Sequence, residues 1–456
     1  METDMTKGNP LPVILKFMIP LWIGNVFQQL YNMADTIIVG RFIGAGALAA
    51  VGSTGTVMFL VTGLSQGMST GFTVLTSQKY GAGDKKGVRG SVANGIRLSF
   101  FVILVLTVLS LLSMKTLLHA MNTPDDIFED AYSYICVICI GIFTTVFYNL
   151  FSSFLRAVGN SRTPLLFLVF SACLNVVLDL FFITVFHMGV AGAAWATDLS
   201  QGISAVLCVI YIRKKEAVLV PDKDDWAGNE NFTRHQLAVG IPMSLQFGIT
   251  ASGTMIMQSA VNLFGSSAVA AVTAASKIQS VFTQGMVAMG QAMATYCGQN
   301  FGKREIGRIH GGVRAAVKVE VIYSLICSAI VVTALPLLLG IFFPEEGKAA
   351  ALLPLARTYV NICAVFYIPL SMIFIFRNTM QGCGYGLLPM LGGAVEFFAR
   401  LFVAILSMRA GNFFLACSCD PAAWLFAGLF TAFSYFCIIR KIEGKLRTVS
   451  VEKPDL

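Results

Sequence analysis

Charge is what this chain has least of. Only 12% of its 456 residues are Asp, Glu, Lys or Arg, while 56% are hydrophobic. A soluble domain carries about 25% charged residues, so a water-soluble fold is excluded and the chain reads as an integral membrane protein. Histidine is scarce: His119, His187, His235 and His310 are scattered, with no H-x-x-H or H-E-x-x-H spacing that would build a metal site. Cys136 and Cys139 form a C-x-x-C, but within the apolar run ICVIC, where cysteine acts as a small packing residue rather than a redox pair. The first apolar run continues past residue 30 without a small-residue cleavage site, so it reads as an uncleaved first helix and not a signal peptide. The net charge of +8 is not gathered in one patch, which argues against nucleic-acid binding.

What is present is a series of long apolar runs. A spanning helix needs about 20 mostly apolar residues. The pattern predicts twelve spans, at roughly 13–39, 47–77, 92–118, 131–155, 164–186, 190–212, 236–262, 268–298, 313–341, 353–380, 387–410 and 421–439. Basic residues recur in every second loop: Lys79, Lys85, Lys86 and Arg89; Arg156 and Arg162; Arg213, Lys214 and Lys215; Lys303, Arg304 and Arg308; and Arg440, Lys441 and Lys445 near the end. The alternate loops carry few, such as Arg41, Lys348 and Arg409. By the positive-inside rule both termini are expected in the cytoplasm of a multi-pass plasma or inner membrane protein.

The chain also repeats itself. FIGAGALAAVG (42–52) recurs as LFGSSAVAAVT (263–273), and Gln78, Tyr80 and Gly81 meet Gln299, Phe301 and Gly302 at the same spacing. With a small shift Pro20 meets Pro242, and Gly159 and Pro164 meet Gly384 and Pro389. The unit is half a protein. Six spans per half insert the same way up, so the expected fold is all-α: twelve transmembrane helices in two six-helix lobes related by a pseudo-two-fold axis along the membrane normal. The expected divisions are an N-terminal lobe (1–212), a polar linker (213–235), a C-terminal lobe (236–440) and a cytoplasmic tail (441–456). A short amphipathic surface helix within the linker is the alternative to plain coil.

Charged groups at span centres cost roughly 2.5–3.5 kcal/mol each on insertion scales, so each needs a reason. Asp35 lies late in span 1, after Gln28, Gln29 and Asn32. Asn175 and Asp179, four apart on span 5, share a helix face about 6 Å apart along the axis. Thr197 on span 6 falls at a similar depth, roughly 10 Å below the outer boundary. Two carboxylates, an amide and a hydroxyl can converge there. Close carboxylates in low dielectric cannot both stay ionised without a proton or a cation, which is the physics of a coupling-ion site. Asp198 points about 100° away from Thr197 around its helix and reads as structural. Glu396 and Arg400, four apart on span 11, can pair with each other. Lys277 on span 8 either snorkels or lines a cavity, while Arg97, Lys318, Glu320 and Arg377 fall near span ends where snorkelling explains them. Pro20 and Pro242 permit a kink in the first helix of each half, and Pro20 is a candidate hinge. The 36 Phe and 19 Met would suit an adaptable apolar cavity as well as lipid contact.

These residues resemble the multidrug and toxic compound extrusion (MATE) transporters. The resemblance covers roughly 10–440 and is carried by IPLWIGNVFQQLYNMADTIIVG (19–40), LRAVGNSRTP (155–164), NVVLD (175–179) and GVAGAAWATDLSQ (189–201). It implies two six-helix lobes facing each other in a V. It implies export of organic cations or drugs against H⁺ or Na⁺, no enzymatic activity, no cofactor beyond the coupling ion, and a monomer in the bilayer. The implied ion site uses Asp35, Asn175, Asp179 and Thr197, with Na⁺ a possible occupant at Asp35 and Asp179. Tyr134 and Asn149 match a span-4 tyrosine and asparagine, Gln28, Asp198 and Lys277 are candidate cavity or support residues, and Pro20 matches the family's bending proline. Some members carry acidic residues in spans 7 and 10; here neither span has one.

Three other functions fit less well. A flippase for lipid-linked precursors, of the same wider superfamily, needs several basic residues at mid-membrane depth, and only Lys277 and Arg400 qualify. A major facilitator transporter needs a glycine where Tyr80 stands in YGAGDKKGVRG. An intramembrane prenyltransferase needs a second aspartate cluster for Mg²⁺, and none occurs. The repeat itself is uneven: Asp35 falls opposite Ile256 or Met257, Asn175 opposite Arg400, and Asp179 opposite Ala404. The scaffold is duplicated but the chemistry is not.

Overall fold

The computed structural model describes residues 3–121, 123–343 and 347–451. Of the tail 441–456, residues 452–456 lie outside the described residues. The first half runs α1 (Pro10–Phe42), α2 (Ala45–Gly81), α3 (Lys85–Ala120), α4 (Asp125–Ile140), α5 (Ile142–Ala157), α6 (Arg162–Leu180) and α7 (Gly189–Lys215). The second half runs α8 (Glu230–Asn262), α9 (Ser266–Gly302), α10 (Ile306–Phe342), α11 (Lys348–Val365), α12 (Tyr367–Gly382), α13 (Leu387–Ala410), α14 (Phe413–Cys417) and α15 (Cys419–Val451). The linker holds two 3₁₀ turns, Ala217–Leu219 and Lys223–Ala227, rather than an amphipathic helix. Arg89 at the start of α3 anchors it through Asp222 (3.1 Å) and Asp225 (3.3 Å).

The helices are apolar on the outside. On α3, Phe101 and Leu112 are 66% and 76% exposed, while the buried face of α9 is largely Ala, Gly and Met. That inversion suits a lipid solvent, where every backbone polar group must be satisfied within the helix and small residues let helices approach. Seven helices are long and apolar enough to cross a membrane, and three bent pairs raise the number to ten. The polar-rich α8 and α9 fall short of that apolar standard and complete the twelve by their place in the repeat.

Spans 4 and 10 are not the single helices expected. Each is broken, by 46° between α4 and α5 and by 49° between α11 and α12. The breaks, at Gly141 and Phe366, coincide in the register set by Gly159 and Gly384, so the kink belongs to the duplicated scaffold. At the first break the Asp198 carboxyl fills the space a Cβ on Gly141 would need. At the second, Pro369 in the first turn of α12 has no N–H to bond back across the break. Gly159 (φ 92°) and Gly384 (φ 89°) both turn the chain in the left-handed region that glycine alone enters freely, which explains why both halves kept them.

Packing sorts the chain into two compact units: Met1–Asp4 with Ile19–Phe247, and Met5–Met18 with Gly248–Leu456. The leading part of each first helix thus belongs to the unit built mainly by the other half of the repeat. In the first unit α8 lies close on α2: a Cβ on Gly67 would sit 2.6 Å from the Ser244 Cα. Gln236 Nε2 donates to the carbonyls of Phe72 (3.0 Å) and Ser91 (2.9 Å), and Asn94 Nδ2 donates to Gln236 Oε1 (2.7 Å). In the second unit Arg308 donates to the Gly8 carbonyl (2.8 Å) and the Met5 carbonyl (3.1 Å), and the Met5 N–H donates to Gln299 Oε1 (3.2 Å). Gln299, one of the repeated glutamines, therefore holds a chain terminus.

The YGAGDKKGVRG segment has a local structural role. Asp84 caps α3, accepting from the Gly87 N–H (2.8 Å) and from Lys79 Nζ (2.9 Å). A Cβ on Gly87 would collide with that same carboxylate. Lys79 and the Gly87 N–H hold the Asp84 carboxyl below the usual carboxylate range.

Candidate functional site

The costly polar residues of the first half converge inside the first unit. α6 carries Asn175 and Asp179 on one face, both fully buried. Asp179 is followed at once by a π-helical turn, Phe181–Val185, in which the Phe186 N–H donates to the Phe181 carbonyl (3.3 Å). Such turns interrupt the regular ladder and are frequent at functional sites. α7 supplies Thr197, whose hydroxyl oxygen accepts from Asn175 Nδ2 (3.2 Å). α1 brings Asp35 so close that its carboxyl group meets that of Asp179. No N–H or hydroxyl donor reaches either Asp179 oxygen, Asp35 Oδ1 or Asn175 Oδ1.

Two neighbouring carboxyl groups in a low dielectric cannot both stay ionised without a proton or a cation to offset them. Among the described residues neither has an ion-pair partner, and no basic side chain is among the charges acting on them. The unsatisfied acceptors are all oxygens, the hard ligands that suit a proton or an alkali cation. α1 and α6 thus bring two carboxyl groups together with oxygen ligands beside them and no basic partner among the described residues.

Tyr31 belongs to the same cluster and was not singled out from the sequence. It lies beside Thr197 and within the field of Asp35 and Asp179. Its spacing of four from Asp35 on α1 was the available signal. Tyr134 is buried in the field of Asp35, Asp179 and Tyr31, so α4 closes another side. A cavity of about 390 Å³ lined by Phe27, Tyr31, Ala34, Ala172 and Val176 reaches the cluster between α1 and α6.

Other candidates lie elsewhere. Asp198 is buried, turned from Thr197 toward the Gly141 break, and lines a separate cavity of about 580 Å³ with Trp195, Thr144 and Ile203. Gln28 and Lys277 are exposed, and Asn149 is half-buried on α5 with no hydrogen bond to the cluster among the described residues. Pro20 is buried within an α1 that continues through it.

In the second unit two readings need correction. Glu320 does not snorkel: it is fully buried, near the midpoint of α10, and neither of its oxygens has a hydrogen-bond partner among the described residues. Its depth in the fold, not its distance along the chain, decides the matter. Glu396 and Arg400 do pair (2.7 Å), but Arg400 Nε also donates to Asp420 (2.7 Å). Asp420, which follows the short α14, is buried and was not singled out from the sequence.

The family model described as MatE matches residues 20–181 and 242–406, once in each half. A Bacillus subtilis relative, "Probable multidrug resistance protein YpnP", is 30% identical over 443 residues, covering 93% of this chain and 96% of its own length. "Probable multidrug resistance protein NorM" of Thermotoga maritima is 26% identical, covering 87% and 85% respectively. Among solved structures, the outward-facing conformation of a multidrug resistance MATE family transporter of the MOP superfamily superposes with a TM-score of 0.90 at 23% identity, covering 97% of this chain and 98% of that one.

Proposed function

Because the chain belongs to the MatE family of multidrug and toxic compound extrusion transporters, we propose that it exports organic cations or drugs across the plasma or inner membrane in exchange for inward-moving H⁺ or Na⁺. The relatives' names supply the substrate class. The observation that carries the coupling is the meeting of the Asp35 and Asp179 carboxyl groups in a buried pocket without a basic partner.

In this reading Asp35 and Asp179 hold the coupling ion. Asn175 orients Thr197 by donating to it, which leaves Asn175 Oδ1 free as a further ligand. Tyr31 brings α1 beside Thr197 of α7, and Tyr134 walls the site. An empty site leaves two like charges in contact, which pushes α1 from α6; an ion or proton draws them together. Pro20 removes one backbone bond below this point and lets α1 respond. The basic loops support a cytoplasmic position for both termini, and a monomer suffices in this reading because the site lies within one unit.

The test is dye efflux from proteoliposomes with H⁺ and Na⁺ gradients imposed separately. One gradient is expected to drive efflux, and Asp35→Asn to abolish it while leaving the protein folded. Full gradient-driven activity in that variant would remove the assignment.

A further inference from the structure

Arg400 occupies, in the second unit, the place that Asn175 holds in the first. In the register set by Gly159 and Gly384, Asn175 meets Arg400, and Tyr134 meets Tyr359. In the register set by Pro20 and Pro242, Tyr31 meets Gly253. The second set comes together in space as the first does. Arg400 is 3% exposed. Its Nη2 donates to Glu396 Oε1 (2.7 Å) and its Nε to Asp420 Oδ1 (2.7 Å). The Tyr359 hydroxyl donates to Asp420 Oδ2 (3.5 Å). Gly253 lacks the side chain that would block the guanidinium: a Cβ there would lie 2.9 Å from Arg400 Nη1, a nitrogen that is buried without any acceptor.

The two clusters differ in charge balance. In the first unit, Asp35, Asp179 and Asp198 have no ion-pair partner among the described residues. In the second, Glu396 and Asp420 face Arg400, and Arg377 on α12 lies within the field of Glu396. Two carboxylates meet two guanidiniums, so nothing from outside is needed. Gly253 from α8 and Asp420 from α15 face Arg400, while Tyr359 from α11 reaches Asp420, Arg377 from α12 acts on Glu396, and Cys363 and Cys419 lie in the field of Asp420.

We propose that the second unit contains a cation site at the corresponding place in the fold, permanently filled by the guanidinium of Arg400. Only the first unit then exchanges its cation, and removing the guanidinium opens the second site to a small external cation, H⁺ or Na⁺. The inference rests on the reading of the Asp35–Asp179 site given above, and the test keeps the two apart.

The measurement is the melting temperature of the purified full-length chain in detergent. Na⁺ is varied against choline at constant ionic strength, and pH is set at 5 or 9 in parallel. Asp35→Asn/Asp179→Asn removes the first site and flattens the response; if it responds as the wild type does, the first-unit reading fails whatever Arg400 does. Adding Arg400→Gln to that background is expected to restore a rise of about 3 °C or more in one arm, and the arm that responds identifies the ion. Arg400→Lys, which keeps the charge, is expected to stay flat. A folded Arg400→Gln variant without response in either arm overturns the proposal. So does an Arg400→Gln variant that folds under no condition, whether or not the neutral control Glu396→Gln/Arg400→Gln/Asp420→Asn folds, because the carboxylates then accept no replacement cation.

Discussion

Replacing Asp179 with Asn separates charge from shape at the centre of the proposed site. The Asp179 side chain is fully buried and neither oxygen receives an N–H or hydroxyl. A buried polar group left unpaired costs about 1–3 kcal/mol, and more when it is charged. Asparagine has nearly the same shape, brings a donor to the Asp35 carboxylate, and removes the like charge. At pH 9 without Na⁺, Asp179→Asn is therefore expected to be more stable than the wild type by at least about 1–3 kcal/mol. A unit of this size converts 1 kcal/mol into about 2–4 °C, so the melting temperature rises by about 2–12 °C. The same variant should lose gradient-driven efflux, because one of the two groups that share the ion is gone.

The assay is thermal unfolding in detergent beside efflux from vesicles of the same preparation. The combination matters. A residue that merely holds the fold together would lose stability and transport together, whereas the site proposed here gains the first and loses the second. A lower melting temperature in Asp179→Asn at pH 9 without Na⁺ would refute the reasoning, since it would mean that the carboxylate already has a favourable partner.

Two further outcomes follow from the same structure. Asp84→Ala removes the cap of α3 and the partner of Lys79 and should cost about 1 kcal/mol, most of it from the cap because the ion pair is solvent-exposed. The Asp84 carboxyl is held below its usual range, so its contribution is complete above the unfolded value near pH 4 and disappears as pH falls through the lower folded value; wild type and Asp84→Ala should converge in melting temperature only below about pH 4. Glu320→Gln removes a buried ionisable group without changing shape and should leave stability unchanged or raise it by about 1–3 kcal/mol at pH 9, whereas a fall in melting temperature would show that the carboxylate is paired.

The sequence was most legible where the bilayer dictates the answer. Apolar length placed the spans, because a helix in lipid has no alternative way to satisfy its backbone. Cost placed Asp35, Asn175, Asp179 and Thr197, because a polar side chain at that depth needs a compensating reason. Tyr31 escaped because a tyrosine in a membrane helix is inexpensive and draws no notice. Asp420 escaped for the opposite reason: at the edge of a span a charge is ordinary, and only the turn of α14 carries it inward. The breaks at Gly141 and Phe366 left no mark in hydropathy, since a bent span is as apolar as a straight one.

The same accounting explains how a duplicated scaffold came to carry unequal chemistry. Gly159 and Gly384, the two helix breaks, and Tyr134 with Tyr359 are constraints of backbone and packing, and both halves obey them. The ionisable groups obey a different constraint, which is that the charge buried in each unit must be neutralised. One half meets it with a guanidinium covalently attached to the chain, held between two carboxylates at 2.7 Å. The other leaves the neutralising charge to arrive from solution. A tethered cation cannot be released and so cannot couple to a gradient; an untethered one can. On the proposed reading, the asymmetry between Arg400 and Asn175 decides which half can couple to a gradient, and the shared scaffold decides only where that coupling sits.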